Sequence, residues 1–271
     1  KGRGGYRYGH GTLFDHMAYD GLEDAYEKTP NGGGKSMGQY AEDCASKYSF
    51  SREEQDAYAI ESSKRALAAN KDGSFSWEIA PVTISGRKGD VVVDKDESPF
   101  KTNPEKIPQL KPAFRKDGSV TAATSSSISD GAAALVMMRE STAKKLGLTP
   151  LARVAGHATH SQEPQWFTTA PVGAIAKLYE KVGWASKDVD LYEINEAFAV
   201  VAMAAMKEHN LPHDRVNVHG GAVALGHPIG CSGARLIVTL LGALRKQGGK
   251  RGVASLCIGG GEATALAVEL V

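Results

Sequence analysis

The 271-residue sequence predicts a layered α/β protein, most clearly in its second half, on three observations. From residue 152 onward, short apolar runs alternate with helical segments, the order that stacks helices on a sheet. Residues 196–209 read as a helix apolar on nearly every side, which requires a place inside a layered structure. Hydrophobic residues make up 42% of the chain and charged residues 23%, so a sizeable core is available and disorder is excluded.

Residues 1–50 are rich in Gly, Tyr and His, with NGGGK at 31–35 marking an exposed turn, and are expected to be loop-dominated. Cys44, in AEDCASKY, is expected on a helix without a chemical role. SREE at 51–54 is a capping box, Ser51 at the N-cap and Glu54 at N3, and the helix it opens runs to Asn70 before Asp72-Gly73 stops it. The alternation over 78–94, broken by a glycine turn at 86–89, predicts a hairpin. Pro99, Pro104, Pro108 and Pro112 exclude regular structure through most of 99–112, because each fixes φ and removes an amide donor. The apolar run 132–138 fits a buried strand. There follow strands at 152–157, 189–194, 216–218, 253–258 and 264–270, and helices at 171–182, 196–209 and 232–247, with no internal repeat.

The balance of 32 Lys+Arg against 31 Asp+Glu gives a net charge of +1, too small a field to capture nucleic acid or an anionic membrane surface. The longest uncharged apolar stretch, 197–206, falls short of the ~20 residues that span a bilayer. Cys44, Cys231 and Cys257 are odd in number with no close pair, which suits neither disulfides nor a zinc framework and points to a reducing, cytoplasmic location. His157 and His160 lack further ligands nearby, so no metal is expected. The chain opens at Lys1 without Met or a signal-peptide pattern, which reads as a removed leader or a fragment.

Three constellations carry candidate chemistry. In NEAFA at 195–199 a polar pair stands where a strand meets an apolar helix; Asn195 is either the helix cap or a group aimed into a site. In GGAVALGHPIGCSGAR, 220–235, Pro228 biases His227 toward an extended backbone and a stiff glycine loop holds the imidazole, a setting suited to a base rather than to a solvated surface His. The loop lacks the P-loop Lys and the GxGxxG spacing, so a nucleotide cradle is a poor fit. In LCIGGG, 256–261, Cys257 ends an apolar strand beside glycines whose N–H groups can face an oxyanion; a buried structural Cys is the alternative. Cys231 lies at a helix N-terminus, which favours thiolate. An amide, an imidazole and a thiol together suit acyl transfer or enolate chemistry.

At these residues the sequence resembles the thiolase family, through NEAFA, GGA-x-A-x-GHP-x-G-x-S-GAR and C-x-GGG in order, and upstream through DGLEDAY, SREEQDAYA and SVTAATSSSISDGAAA. The resemblance implies a thiolase-like α/β/α fold in which the second half is complete, with a loop domain on the CoA-binding side (1–128), a remnant of the N-terminal α/β domain (129–148) and the C-terminal α/β domain (149–271). It further implies a ping-pong acyl transfer between acyl-CoA thioesters through an enzyme Cys, with coenzyme A as substrate, no metal, and a dimer or tetramer at full length. His227 would activate the nucleophile and, with Asn195 through a water, hold a thioester oxygen; Cys257 would be the acid/base thiol and the Gly259 N–H would serve a second oxyanion hole. Leu22, Met37, Phe114, Ser126, Phe167 and Phe198 fall at channel-lining positions.

The family's nucleophilic Cys has no matching segment here, and neither Cys231 nor Cys257 takes its place, so this chain alone is expected to be inactive. Ser36 stands where some thiolases carry His, beside an apparent NGGGK insertion, and Thr124 where many carry Asn. A β-ketoacyl synthase-like enzyme and a noncatalytic CoA-binding or scaffold subunit are the alternatives; NEAFA and C-x-GGG oppose the first, and the retained His227 and Cys257 the second.

Overall fold

The computed structural model describes residues 4–5, 8–27 and 33–271; the start of the NGGGK turn lies outside them. The N-terminal segment is less irregular than its composition predicts. After a π-helical turn, Ala18–Leu22, comes helix α1 (Met37–Tyr48), opened by a capping box in which the Ser36 side chain accepts from Gln39 N–H and Gln39 Oε1 accepts from Ser36 N–H. Its buried face carries Tyr40, Ala41, Cys44 and Ala45. The S-x-x-Q signal was present, but the adjoining glycine run obscured it.

Helix α2 (Arg52–Lys71) follows with the expected Ser51–Glu54 box, then the hairpin β1 (Val82–Ile84) and β2 (Val91–Val93), exposed along its whole length. The proline-rich connector holds two short helical pieces, α3 (Ser98–Lys101) and a 3-10 segment, Pro104–Gln109, with Pro99 and Pro104 in first turns, where a missing N–H breaks no bond. The run 132–138, expected as a buried strand, forms no strand, and Val136 is 88% exposed. A strand forms only against a neighbour, and none of the described residues supplies one.

Helix α4 (Glu140–Lys145) leads to β3 (Ala152–Ser161), α5 (Ala170–Val182), β4 (Leu191–Ile194), α6 (Ala199–His209), α7 (Ala222–Leu225), α8 (Ile229–Gln247), β5 (Arg251–Ile258) and β6 (Glu262–Leu270). The expected strand at 216–218 reduces to one bridge between Val216 and Tyr192, because Asn217 turns left-handed at φ 49°. Helix α8 starts three residues earlier than predicted, at Ile229, since Pro228 has φ −68° and serves as N-cap.

The strands order as β3-β6-β5-β4, antiparallel except for β4 with β5. Helices α5 and α6 cover one face around Ile175, Leu178, Ile194 and Ala202; α8 covers the other, packing Leu236, Leu240 and Leu244 on Leu191, Ala254 and Val268. The expected α/β/α layering is present. The parallel pair places the C-terminal ends of β4 and β5 side by side, the edge where open α/β sheets present their ligand-binding groups.

Candidate active site

Asn195 continues directly from β4, its N–H donating to Ser255 O on β5 at 2.9 Å. It is not a helix cap: α6 begins at Ala199 with Phe198 as N-cap. Its fully buried side chain instead donates from Nδ2 to His227 Nε2 at 3.2 Å, while Oδ1 is buried without a partner.

His227 sits between α7 and α8. Gly226 supplies φ +96°, and a Cβ there would stand 2.2 Å from Ser129 Oγ. The His227 N–H donates to Ser127 O at 3.0 Å. Its Nδ1 lies 2.6 Å from Ser232 Oγ, whose single hydrogen is committed to Pro228 O at 3.1 Å. Nδ1 is therefore the protonated nitrogen, and Nε2 presents its lone pair to Asn195. Burial pushes the imidazole down to about 4, helped by the positive charge of Arg235, so at neutral pH it is an uncharged base.

Cys257, near the end of β5, occupies the other face of the sheet. It is buried in an apolar cluster with Met37, Phe167 and Phe198, against which Phe114 packs, and burial pushes its thiol up to about 12. The pleat explains the separation: Ile194 and Ser255 are in register and share a face, so Asn195 and Cys257 leave the strand ends on opposite sides. The 195–198 segment joins the two groups, since Asn195 meets His227 and Phe198 meets the thiol's cluster.

All of the candidate channel residues except Leu22 gather around this segment and the Cys257 cluster. Ser126 donates from both N–H and Oγ–H to Ala197 O, at 3.0 and 2.9 Å. The Phe114 and Phe198 rings meet edge-to-face at 5.9 Å. A Cβ on Gly259 would lie 3.2 Å from Met37 Sδ and 3.7 Å from Gly21 O, so the glycine turn after β5 abuts both α1 and the π-helical turn that ends at half-buried Leu22. Ser36 caps α1, and Thr124 closes a local turn with Thr121. Cys231 is buried and its thiol is raised by burial, against the thiolate that a helix N-terminus alone predicts.

Several residues that organise the site went unassigned in the sequence. Ser232 fixes the imidazole tautomer; its position, five residues after His227 and four after a Pro N-cap, was the available signal. Glu196, seen only as half of a polar pair, is fully buried and accepts from Tyr58 Oη–H (2.9 Å), Ser62 Oγ–H (2.8 Å), Asn217 Nδ2 (2.8 Å) and Val223 N–H (3.1 Å). Asn217 also clips the end of β4, bonding both Ile194 N–H and Ile194 O at 2.8 Å.

Comparison with known proteins gives the family. The family profile described as thiolase, N-terminal domain, matches residues 1–141, and that of thiolase, C-terminal domain, matches 148–270. The chain belongs to the thiolase family. Among its relatives, acetyl-CoA acetyltransferase 2 of Arabidopsis thaliana is 50% identical and acetyl-CoA acetyltransferase 1 of the same plant 52% identical, each across 99% of this thiolase chain. The chain spans 66% and 64% of the length of those two proteins. The Bacillus anthracis acetyl-CoA acetyltransferase crystal structure superposes with TM-score 0.93 at 45% identity, covering all of this chain and 67% of that one. The Acat5 thiolase of Ascaris suum, solved in complex with coenzyme A, gives TM-score 0.86 at 40% identity over 99% of this chain and 67% of its own. Among the described residues of this thiolase, no helix is long and apolar enough to cross a membrane.

Proposed function

We propose that this thiolase chain carries the acid/base half of an acyl-CoA acyltransferase, with acetyl-CoA or a 3-ketoacyl-CoA as substrate. The observation that carries the reading is the Asn195–His227 pair, two motifs brought to 3.2 Å with the imidazole neutral and its Nε2 lone pair turned to the amide. The naming of the relatives as acetyl-CoA acetyltransferases and the coenzyme A complex of the Ascaris relative support the substrate class.

In this mechanism His227 Nε2 takes the proton of the nucleophilic thiol. The imidazolium and Asn195, the latter through a water held at its unpartnered Oδ1, then face the thioester oxygen as it becomes negative. Cys257 is a thiol at neutral pH and holds the proton exchanged at the substrate α-carbon or the coenzyme sulfur, with the Gly259 N–H on the second oxyanion. Leu22, Met37, Phe114, Ser126, Phe167 and Phe198 line the path for the acyl and pantetheine portions. The acyl-carrying cysteine is none of the three here, so the 271-residue chain binds coenzyme A without turnover. A dimer or tetramer at full length and the 1–128, 129–148 and 149–271 division belong to the same proposal.

Calorimetry with coenzyme A and a thiolysis assay with acetoacetyl-CoA test this on the chain as it stands. Coenzyme A binding weakened at least tenfold by Phe198→Asp supports the site. Absence of binding, or robust turnover abolished alike by Cys257→Ala and Cys231→Ala, overturns the assignment.

A further inference from the structure

Arg235 occupies a junction between the site and the rest of the fold. On β4 the pleat turns Leu191, Glu193 and Asn195 toward α8, and Tyr192 and Ile194 toward α5 and α6. Leu191 packs in the α8 core, Glu193 Oε2 accepts from Arg235 Nη1 at 3.3 Å, and Asn195 meets His227. On α8, Ser232 holds His227, and Arg235 follows three residues later on the same helix face. The Glu193–Arg235 and Asn195–His227 contacts are therefore successive rungs between one strand and one helix. Sliding α8 along β4 breaks both.

Arg235 is also a charge shared among several buried groups. Its field acts on His227 and Cys231 at the head of α8, on Glu193, and on Glu78 and Asp96, which flank the β1–β2 hairpin. Glu78 reaches the same helix by accepting from Thr239 Oγ1 at 3.2 Å. Glu193 is 1% exposed, burial pushes its carboxyl up to about 8, and the Glu193 Oε1, Glu78 Oε2 and Arg235 Nη2 atoms are buried without a hydrogen-bond partner. A buried guanidinium without acceptors is strongly destabilising, which keeps Arg235 on the Glu193 carboxyl.

We propose that Arg235 is a positioning residue for His227: pinned by Glu193, it locks α8 on β4 in the register that delivers the imidazole to Asn195 and sets a fixed positive charge beside it. The imidazole's task rests on the thiolase reading; the register and the charge do not. The side chains hydrogen-bonded to the ring are Asn195 from the end of β4 and Ser232 from α8, neither titratable; burial lowers the ring first and the Arg235 charge adds to it.

The test is an NMR pH titration of the His227 ring in the 271-residue chain. The wild-type midpoint is expected near 4. Arg235→Met is expected to raise it by about one unit or more toward the ordinary ~6.5. Arg235→Lys, which keeps the charge, stays within about half a unit of wild type, and Glu193→Gln stays at the wild-type value, because burial pushes Glu193 up to about 8, so its carboxyl is already uncharged where the ring titrates, and an amide oxygen still accepts from Arg235. An unshifted Arg235→Met midpoint, or a Glu193→Gln rise equal to that of Arg235→Met, overturns the proposal. If Arg235→Met does not fold, the other two variants decide: both remaining low supports it, and either one rising to the ordinary value overturns it. The readout involves neither coenzyme A nor turnover, so failure of the acyltransferase reading and failure of this one are distinguished.

Discussion

Removing the Glu196 carboxylate is expected to cost this chain most of its stability. The group lies at the centre of a buried polar knot, accepting two donors at Oε1 and two at Oε2 from α2, the Asn217 turn and α7. It also fills the space a side chain on Gly221 would need, since a Cβ there would stand 2.3 Å from the carboxyl carbon. Glu196→Ala strands four buried donors at ~1–3 kcal/mol each, so the loss is about 4 kcal/mol at the lower limit, before any cavity term. Against a typical total of ~5–15 kcal/mol, that leaves a marginal or unfolded chain. Glu196→Gln keeps the volume and the two bonds at Oε1, but its amide opposes the Val223 N–H donor, and Ser62 Oγ already accepts from Gly221 N–H at 3.0 Å. About 2 kcal/mol is expected for that variant. Urea unfolding followed by tryptophan fluorescence and circular dichroism measures both. An alanine variant within 1 kcal/mol of wild type, or a glutamine variant as damaged as the alanine one, refutes the reasoning.

Two further outcomes follow from the titratable groups. His227 is lowered in the folded chain, so between its ordinary ~6.5 and about 4 the unfolded state binds more protons; the stability contributed by the neutral ring is complete above ~6.5 and is lost as pH falls toward 4. The urea midpoint should drop across that window, and a His227→Asn variant should show a shallower drop; identical slopes count against the assignment. Burial raises all three thiols, Cys44 to about 11 and Cys257 to about 12, so at pH 7.5 iodoacetamide should label Cys44 and Cys257 at least ~100-fold more slowly in the native chain than in the urea-unfolded one, and Cys231 more slowly as well, as followed by peptide mass spectrometry. Prompt native labelling of Cys257 contradicts the burial argument.

Much of the site was legible because its residues are paired with local chemistry that leaves a trace. Ser51 and Glu54 announce α2, the glycines and Pro228 announce a stiff loop at His227, and NEAFA stands at a strand end. What remained hidden depends on distant partners. Nothing local tells that Glu196 answers Tyr58 and Ser62, well over a hundred residues earlier, or that Glu193 meets Arg235 on another element. Asn195 illustrates the same point: a cap and a site residue look alike in sequence, and only the start of α6 four residues later separates them. The 132–138 run was misread for the opposite reason, because apolar character records a preference for burial without supplying the neighbour that burial requires.

That run sets how the isolated chain behaves in a tube. A stretch of exposed Val136, Met137 and Met138 outside any strand is a site for intermolecular β-pairing. Concentration, salt and holding time will therefore govern yield and clarity of preparations before any property of the imidazole comes into view, and a lysine placed at Val136 is the natural solubilising change.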